Sequence, residues 1–201
     1  MSIEVAGRTT LGASSPYTNS VNISSNLTDL TISNNATSIT TEAAQPNLIP
    51  QTGLIKIGAG SSQSFAIRND GNGLGWGWGQ FGQIGDSGLS DRKVPVRIVG
   101  VGVLTQIDGG IFHTIALRSN GAVWAWGRND KGQLGNGTTL DNRRPAAVPG
   151  LSGITQISAG GTHNLALRSD GTVWAWGYGV IYRGEHLENP VPTPFPIMRS
   201  R

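Results

Sequence analysis

The chain has 201 residues, 30 of them glycine, with 13% charged residues and a formal net charge of +3. This glycine-rich, charge-poor composition favours short strands and tight turns over helices. Because cysteine is absent, disulfides, cysteine zinc sites and thiol nucleophiles are excluded. The scattered basic residues do not favour a nucleic-acid partner.

Residues 1–45 are predicted to be a leader with a composition of its own. Ser, Thr and Asn make up more than half of residues 9–41, so we expect a flexible segment or a degenerate blade-like unit. The start of the chain lacks the basic and apolar stretches of a signal peptide. No apolar run approaches the roughly 20 residues that span a bilayer. The expected location is the cytoplasm, or the cell surface or exterior if the sequence belongs to a longer protein.

Residues 46–179 contain an internal repeat with a period of fifty residues. Segments beginning "IKIGAG", "TQIDGG" and "TQISAG" align without a gap, and this places the copies near 55–104, 105–154 and 155–179. Three copies in register predict one structural unit per copy. Corresponding positions carry the same residue types: Ile57, Ile107 and Ile157, and Trp76, Trp126 and Trp176.

Each copy is predicted to form a strand, a β-hairpin, a loop and a last strand. The hairpin turns contain Asp-Gly or Asn-Gly, the pairs that a two-residue type I′ turn requires because both central residues need positive φ. In the third copy this turn would pair Leu167 with Trp174 and Leu165 with Trp176. It would place Ala166 and Ala175 on the opposite face. The turn pairs are Asp70-Gly71, Asn120-Gly121 and Asp170-Gly171.

Such a hairpin would have one bulky aromatic face and one small face, which suit sheets stacked about 10 Å apart. A four-stranded unit of this length is typical of a propeller blade. The predicted fold class is therefore all-β, a partial β-propeller of about three to four four-stranded blades. We expect the tryptophans to pack between blades and the proline-containing last strand of each copy to be an edge strand. The chain is expected to enter on the last strand of a blade near Pro46.

Residues 180–201 depart from the repeat. Where "GQLG" is expected, the chain continues as "VIYRGEHLENPVPTPFPIMRSR", with prolines at 190, 192, 194 and 196. Alternating prolines favour an extended tail over a strand paired in a sheet.

The repeat pattern "G…H…AL…DG.VWAWG.N..GQLG.GT…R.P" resembles that of the regulator of chromosome condensation family, especially its bacterial members with tryptophan-rich repeats. The resemblance covers roughly Pro46 to Gly179. It implies a propeller that acts through its faces and loops. Because family members include guanine-nucleotide exchange factors, ultraviolet sensors and β-lactamase inhibitors, the resemblance implies the fold rather than one activity.

No catalytic, cofactor-binding or metal-binding residues are predicted. His113 and His163 occupy one repeat position, but equivalent positions on stacked blades lie about 10 Å apart, too far to share one ion. We therefore expect hydrogen-bonded structural histidines. The "GNGLGWGWG" segment lacks the following helix that a phosphate-binding loop needs.

Partner-binding residues are predicted where the copies disagree, because structure dictates the shared positions. After the common Trp-Gly, the three copies have Trp, Arg and Tyr, which are enriched in interface hot spots. Unconstrained loop variation is the competing interpretation. The candidates are Trp78, Phe81, Arg128, Asp130, Lys131, Tyr178 and Tyr182.

The functional hypothesis is a noncatalytic protein-interaction module that needs no cofactor. One alternative is a regulator of another enzyme, by nucleotide exchange on a small GTPase or by inhibition of a β-lactamase. The other is a structural or surface repeat segment of a larger protein. Because a partial ring leaves blade faces and strand edges uncovered, either a second copy of the chain closes the ring or the repeats belong to a longer parent protein.

Overall fold

The computed structural model describes residues 52–179, 181–182, 185–186 and 191–198. The leader at 1–45 and the strand predicted near Pro46 lie outside these residues. Among the described residues, no helix is long and apolar enough to cross a membrane. The strands are β1 (Leu54–Ala59), β2 (Gln63–Arg68), β3 (Gly73–Gly77), β4 (Arg92–Arg97), β5 (Leu104–Gly109), β6 (His113–Arg118), β7 (Val123–Gly127), β8 (Asn142–Ala147), β9 (Ile154–Ala159), β10 (His163–Arg168), β11 (Val173–Gly177), β12 (Ile181–Tyr182), β13 (Glu185–His186) and β14 (Val191–Met198).

Three four-stranded antiparallel sheets confirm the predicted all-β, blade-like units. The first sheet has the order β1-β2-β3-β4, the second β5-β6-β7-β8, and the third β9-β10-β11-β14. We call these sheets blades 1, 2 and 3. Strands β12 and β13 form a separate two-stranded ribbon. Pro95 in β4 and Pro145 in β8 both lie on edge strands, as predicted.

The hairpin register predicted from a two-residue turn is wrong by one position. Ala166 pairs with Trp174, and Leu165 pairs with Ala175. The turn has three residues, closed by a hydrogen bond from the Arg168 amide to the Thr172 carbonyl (2.9 Å). Of the two residues in each turn pair, only the glycine has positive φ, so the turn is a type I turn followed by a left-handed glycine. The preceding Asp or Asn accepts a hydrogen bond from the amide two residues later, at Asn72, Ala122 and Thr172.

The corrected register gives each blade two apolar faces of mixed size. One face of blade 2 presents Ile115, Leu117, Val123 and Ala125, and these residues form one buried cluster with Ile154, Ile157, Ala166 and Trp176 of blade 3. The opposite face of blade 2 presents Ile107, Ala116 and Trp126, which cluster with Phe65 and Ile67 of blade 1. The same aliphatic-to-tryptophan packing therefore joins both pairs of neighbouring blades.

A carbonyl from the preceding blade also holds each buried tryptophan. The Trp126 indole Nε1 donates to the backbone carbonyl of Gln83 (2.8 Å), and Trp176 Nε1 donates to that of Gln133 (3.0 Å). Gln83 and Gln133 are the glutamines of the "GQIG" and "GQLG" loops. The repeated loop thus satisfies a buried N–H group that would otherwise be costly.

The prediction that the proline-rich end does not pair is wrong for Val191–Met198, which forms β14 and pairs with β11. The physical reason is the spacing of its prolines. Alternate residues of a strand direct their N–H groups to the same edge, so Pro192, Pro194 and Pro196 remove donors from one edge only. The opposite edge can still pair, and β14 is the edge strand of its sheet, where proline is tolerated.

Candidate protein-interaction surface

Each blade presents two neighbouring side chains just outside its central hairpin. The amide at the position after the conserved Trp-Gly donates to the carbonyl of the residue before the strand. The bonds run from Trp78 to Ser62 (2.8 Å), from Arg128 to Phe112 (2.9 Å) and from Tyr178 to Thr162 (2.8 Å). The three divergent positions predicted from sequence are therefore held in equivalent places on successive blades.

A glycine makes this arrangement possible. Gly127 has φ of +107°, and a Cβ there would lie 2.6 Å from the Phe112 carbonyl oxygen. Gly77 and Gly177 have φ of +103° and +102° and equally close carbonyls. Only glycine fits such a close approach at positive φ, so the backbone that presents the surface is constrained while the side chains on it vary.

An aromatic cluster lies at the junction of blades 1 and 2. The Phe112 ring centroid is 4.8 Å from that of Trp78 and 5.3 Å from that of Phe81, and the Trp78 and Phe81 centroids are 5.6 Å apart. All three side chains are partly exposed. These separations are typical of favourable aromatic pairs.

Cations stack on this aromatic surface. The Arg128 guanidinium lies 5.0 Å from the Phe81 centroid and 5.5 Å from the Phe112 centroid, and it pairs with Asp130 at 2.9 Å. Lys131 Nζ lies 5.2 Å from the Tyr178 ring centroid. Each contact at such exposed sites is worth about 0.5–1 kcal/mol, so the contacts orient the side chains more than they stabilise the fold. We call Trp78, Phe81, Phe112, Arg128, Lys131 and Tyr178 together the interblade surface.

A pocket of about 150 Å³ adjoins this surface at the junction of blades 2 and 3. Its lining includes Ile111, Phe112, Arg128, Lys131, Gly161 and Thr162. The Ile111 amide donates to the Gly161 carbonyl across the junction (3.0 Å). The pocket is therefore built from both blades.

His113 lies beneath this junction as a structural histidine. Its Nε2 donates to Asn164 Oδ1 (2.7 Å), while Asn164 Nδ2 donates to the Gln133 carbonyl (2.7 Å). The pKa of His113 is lowered from 6.5 to about 4, chiefly by burial and to a lesser extent by nearby His163, against the raising effect of the hydrogen bond with Asn164. The described residues contain no group of three His, Cys, Asp or Glu side chains that could hold a metal ion.

The repeats match a known family model. Residues 70–117 and 120–167 each match the regulator of chromosome condensation (RCC1) repeat, and residues 104–133 match a second model of that repeat. The chain contains RCC1 repeats.

Relatives with RCC1 repeats include the ultraviolet-B receptor UVR8 of Arabidopsis thaliana, which is 39% identical over 46 residues, or 23% of this chain and 10% of UVR8. Human WBSCR16 superposes with a TM-score of 0.64 at 24% identity, over 71% of this chain and 37% of that one. Yeast RCC1 (Prp20), solved bound to Kap60, gives 0.64 at 22% identity, over 74% and 37%. The chain thus spans well under half of each relative, and the superpositions establish an RCC1-like propeller fold that is partial here.

Six of the seven predicted partner-binding residues lie close to one another. Trp78, Phe81, Arg128, Lys131 and Tyr178 are in the interblade surface, and Asp130 pairs with Arg128. The side chain of Tyr182 is outside the described part of the chain. Sequence reasoning missed Phe112, Ile111 and Thr162, although the Ser-Phe-Thr divergence directly before Gln63, His113 and His163 was a usable signal.

Proposed function

We propose that this chain is a noncatalytic protein-interaction module that binds a partner protein through the interblade surface. The observation that carries the proposal is the cluster of Trp78, Phe81 and Phe112 with the Arg128 guanidinium over two of the rings. Trp, Tyr and Arg dominate binding hot spots. Rigid aromatic groups also lose little conformational freedom on binding.

The position of these residues in the repeat supports the same proposal. The fold needs the buried tryptophans, the glutamine carbonyls and the glycines, and those recur in successive copies. The side chains of the interblade surface do not recur, although the backbone at Trp78, Arg128 and Tyr178 is held in the same way in all three blades. Variation on a constrained backbone is the arrangement expected of a recognition surface.

Enzyme regulation is the alternative with a specific comparison behind it. One solved structure of yeast Prp20p is described with its binding to Gsp1p and histones, but its identity to this chain is 23% and the likeness is one of fold. A nucleotide-exchange assay on a panel of small GTPases, together with a nitrocefin assay of β-lactamase inhibition, separates this alternative. We expect no acceleration of nucleotide exchange in the first assay and no inhibition of β-lactamase in the second.

Binding through the interblade surface is testable by selection from a peptide library displayed on phage. The full chain serves as bait, and each enriched peptide is then measured against Phe81→Ser and Arg128→Ser. We expect both substitutions to weaken binding at least tenfold, because truncation of a hot-spot residue costs about 2 kcal/mol or more.

The matched control for the charge change is Arg144→Ser, since Arg144 is an exposed arginine on β8, outside the interblade surface. It should leave binding unchanged. If enriched peptides bind the Phe81 and Arg128 variants as tightly as the original chain, the proposed surface is wrong.

A second copy of the chain is the other partner that we propose. Ile57 is 84% exposed and Leu165 is 36% exposed, whereas the equivalent Ile107 and Ile115 are 3% and 0% exposed. Each outer face of the three-blade unit therefore presents side chains that the inner junctions bury, and one face complements the other.

Light scattering after size-exclusion chromatography tests this pairing. We expect a mass near 42 kDa, twice the 21.1 kDa of one chain, that returns to the single-chain value in Ile57→Glu or Leu165→Glu. Leu140, which is 74% exposed in a loop, supplies the control Leu140→Glu, which should not change the mass. A single-chain mass for the original protein would refute the pairing.

A further inference from the structure

The two blade junctions are built from equivalent strands but are filled by different side chains. At the junction of blades 1 and 2, the Phe112 ring is seated against Trp78 and Phe81. One repeat later, the equivalent of Phe112 is Thr162, and the equivalents of Trp78 and Phe81 are Arg128 and Lys131. The second junction therefore lacks the ring that fills the first.

The pocket lies at the place where that ring is missing. It is lined by Thr162, by Arg128 and Lys131, and by Gly161 and Ile111. A Cβ added to Gly161 would come within 3.3 Å of Ile111 Cδ1, so the absence of a side chain at 161 helps to keep the pocket open. The other copies have Ser61 and Ile111 at this position.

The size of the pocket matches an aromatic ring. An apolar cavity of about 150 Å³ holds a benzene molecule, and the pocket volume is about 150 Å³. Phe112 and Ile111 supply apolar walls, and the flanking cations can lie against a ring face as Arg128 already does on Phe81. A phenyl group thus fits the pocket in volume and in chemistry.

The charges around the pocket favour an acidic neighbour for that ring. Two cations, Arg128 and Lys131, and one carboxylate, Asp130, are among the lining residues. Asp130 already pairs with Arg128, whereas Lys131 has no carboxylate within ion-pair distance in the described ranges. A partner carboxylate near Lys131 would complete the pairing.

We propose that the pocket between blades 2 and 3 binds a phenylalanine- or tyrosine-sized side chain of a partner protein, with an acidic residue next to it in the partner sequence. This inference rests on the proposed binding function and names the chemistry of the bound segment. The partner ring would occupy at the second junction the place that Phe112 occupies at the first.

The direct test uses blocked dipeptides as probes and amide NMR of the full chain as the readout. N-acetyl-Phe-Glu-amide is compared with the Ala-Glu and Phe-Lys analogues. We expect saturable shifts of the Gly161 and Thr162 amides with Phe-Glu, binding at least tenfold weaker with Ala-Glu, and a smaller loss with Phe-Lys. Absence of saturable shifts with Phe-Glu, or equal binding of Ala-Glu, would overturn the proposal.

Two substitutions that fill the pocket are suggested by the residues at the equivalent positions of another repeat. Thr162→Phe introduces the residue found at position 112, and Gly161→Ile introduces the residue found at position 111. Both should abolish the Phe-Glu shifts in a chain that still unfolds cooperatively in urea. If Phe-Glu binds a folded Thr162→Phe or Gly161→Ile chain undiminished, the ring does not enter the pocket.

The phage-selected peptides separate this inference from the proposed function. Peptides that depend on Phe81 and Arg128 but bind Thr162→Phe normally would refute the pocket and leave the interblade surface in place. Conversely, if Phe-Glu titrates the pocket while selected peptides ignore the Phe81 and Arg128 variants, the wider binding function fails and the pocket stands.

Discussion

Replacing Trp126 by alanine is expected to lower the free energy of unfolding by about 3–5 kcal/mol, the usual cost of truncating a large buried aromatic side chain. Trp126 is fully buried and belongs to the cluster that joins blades 1 and 2. Its removal opens a cavity in that junction and breaks the bond from Nε1 to the Gln83 carbonyl. Urea denaturation followed by circular dichroism measures the change.

Trp76 provides the matched control, because it occupies the same repeat position but is partly exposed. Trp76→Ala should cost clearly less than Trp126→Ala. Trp126→Phe removes the Nε1 hydrogen bond and part of the buried ring but keeps an aromatic side chain, so it should cost less than Trp126→Ala. The Gln83 carbonyl still accepts from Thr114 in that variant (2.8 Å). Equal effects at positions 76 and 126 would contradict the assignment of Trp126 to the blade junction.

The architecture was predictable because the length of the repeat indicates the structural unit that each copy forms. Ile57, Ile107 and Ile157 recur in register with the tryptophans, and a fifty-residue unit of this kind has few alternatives to a four-stranded blade. The prediction that prolines lie on edge strands was confirmed for Pro95 and Pro145. The partial propeller fold was therefore accessible from sequence.

The hairpin register was not accessible, because both competing turns place glycine in the left-handed region. A two-residue type I′ turn and a three-residue type I turn with a left-handed glycine both accept Asp-Gly. The side chain of Asp70, which accepts the Asn72 amide, belongs to the second geometry. A one-residue shift in pairing changes which residues share a face, so the predicted bulky and small faces were replaced by faces of mixed size.

The partner-binding residues were only partly predictable. Divergence after Trp-Gly identified Trp78, Arg128 and Tyr178. The sequence alone did not indicate which side chains of a neighbouring blade lie against them. Phe112 comes from a different strand than Trp78 and meets it only across a blade junction. The pocket beside Thr162 is likewise visible only once the two equivalent blade junctions can be compared.

Acidification from pH 6.5 to pH 4 is expected to destabilise the chain through His113. Burial lowers the pKa of His113 in the folded state to about 4 from 6.5, so over this interval the unfolded chain takes up a proton that the folded chain does not. The contribution of neutral His113 to the free energy of unfolding is fully present at pH values above 6.5 and is lost as the pH decreases towards 4. At roughly 1.4 kcal/mol for each pKa unit, the total loss is about 3 kcal/mol.

The neutral form is the one that the hydrogen bonds require. Because Asn164 Nδ2 donates to Gln133, its Oδ1 must accept from His113 Nε2, which leaves Nδ1 without a proton. A second proton would go to Nδ1, which is buried and has no hydrogen-bond partner among the described residues. Protonation therefore adds an uncompensated buried charge.

His113→Gln tests this mechanism, because Gln63 fills the same repeat position in blade 1 and donates there to the Gly110 carbonyl (2.9 Å). Unfolding free energies of both proteins are measured by urea titration at intervals between pH 7 and pH 4. Titratable groups that do not interact with His113 contribute equally to both proteins and cancel in the difference. The free energy of unfolding of the substituted chain should fall by about 3 kcal/mol less than that of the original over this interval. Parallel pH profiles would mean that His113 has an ordinary pKa in the folded state.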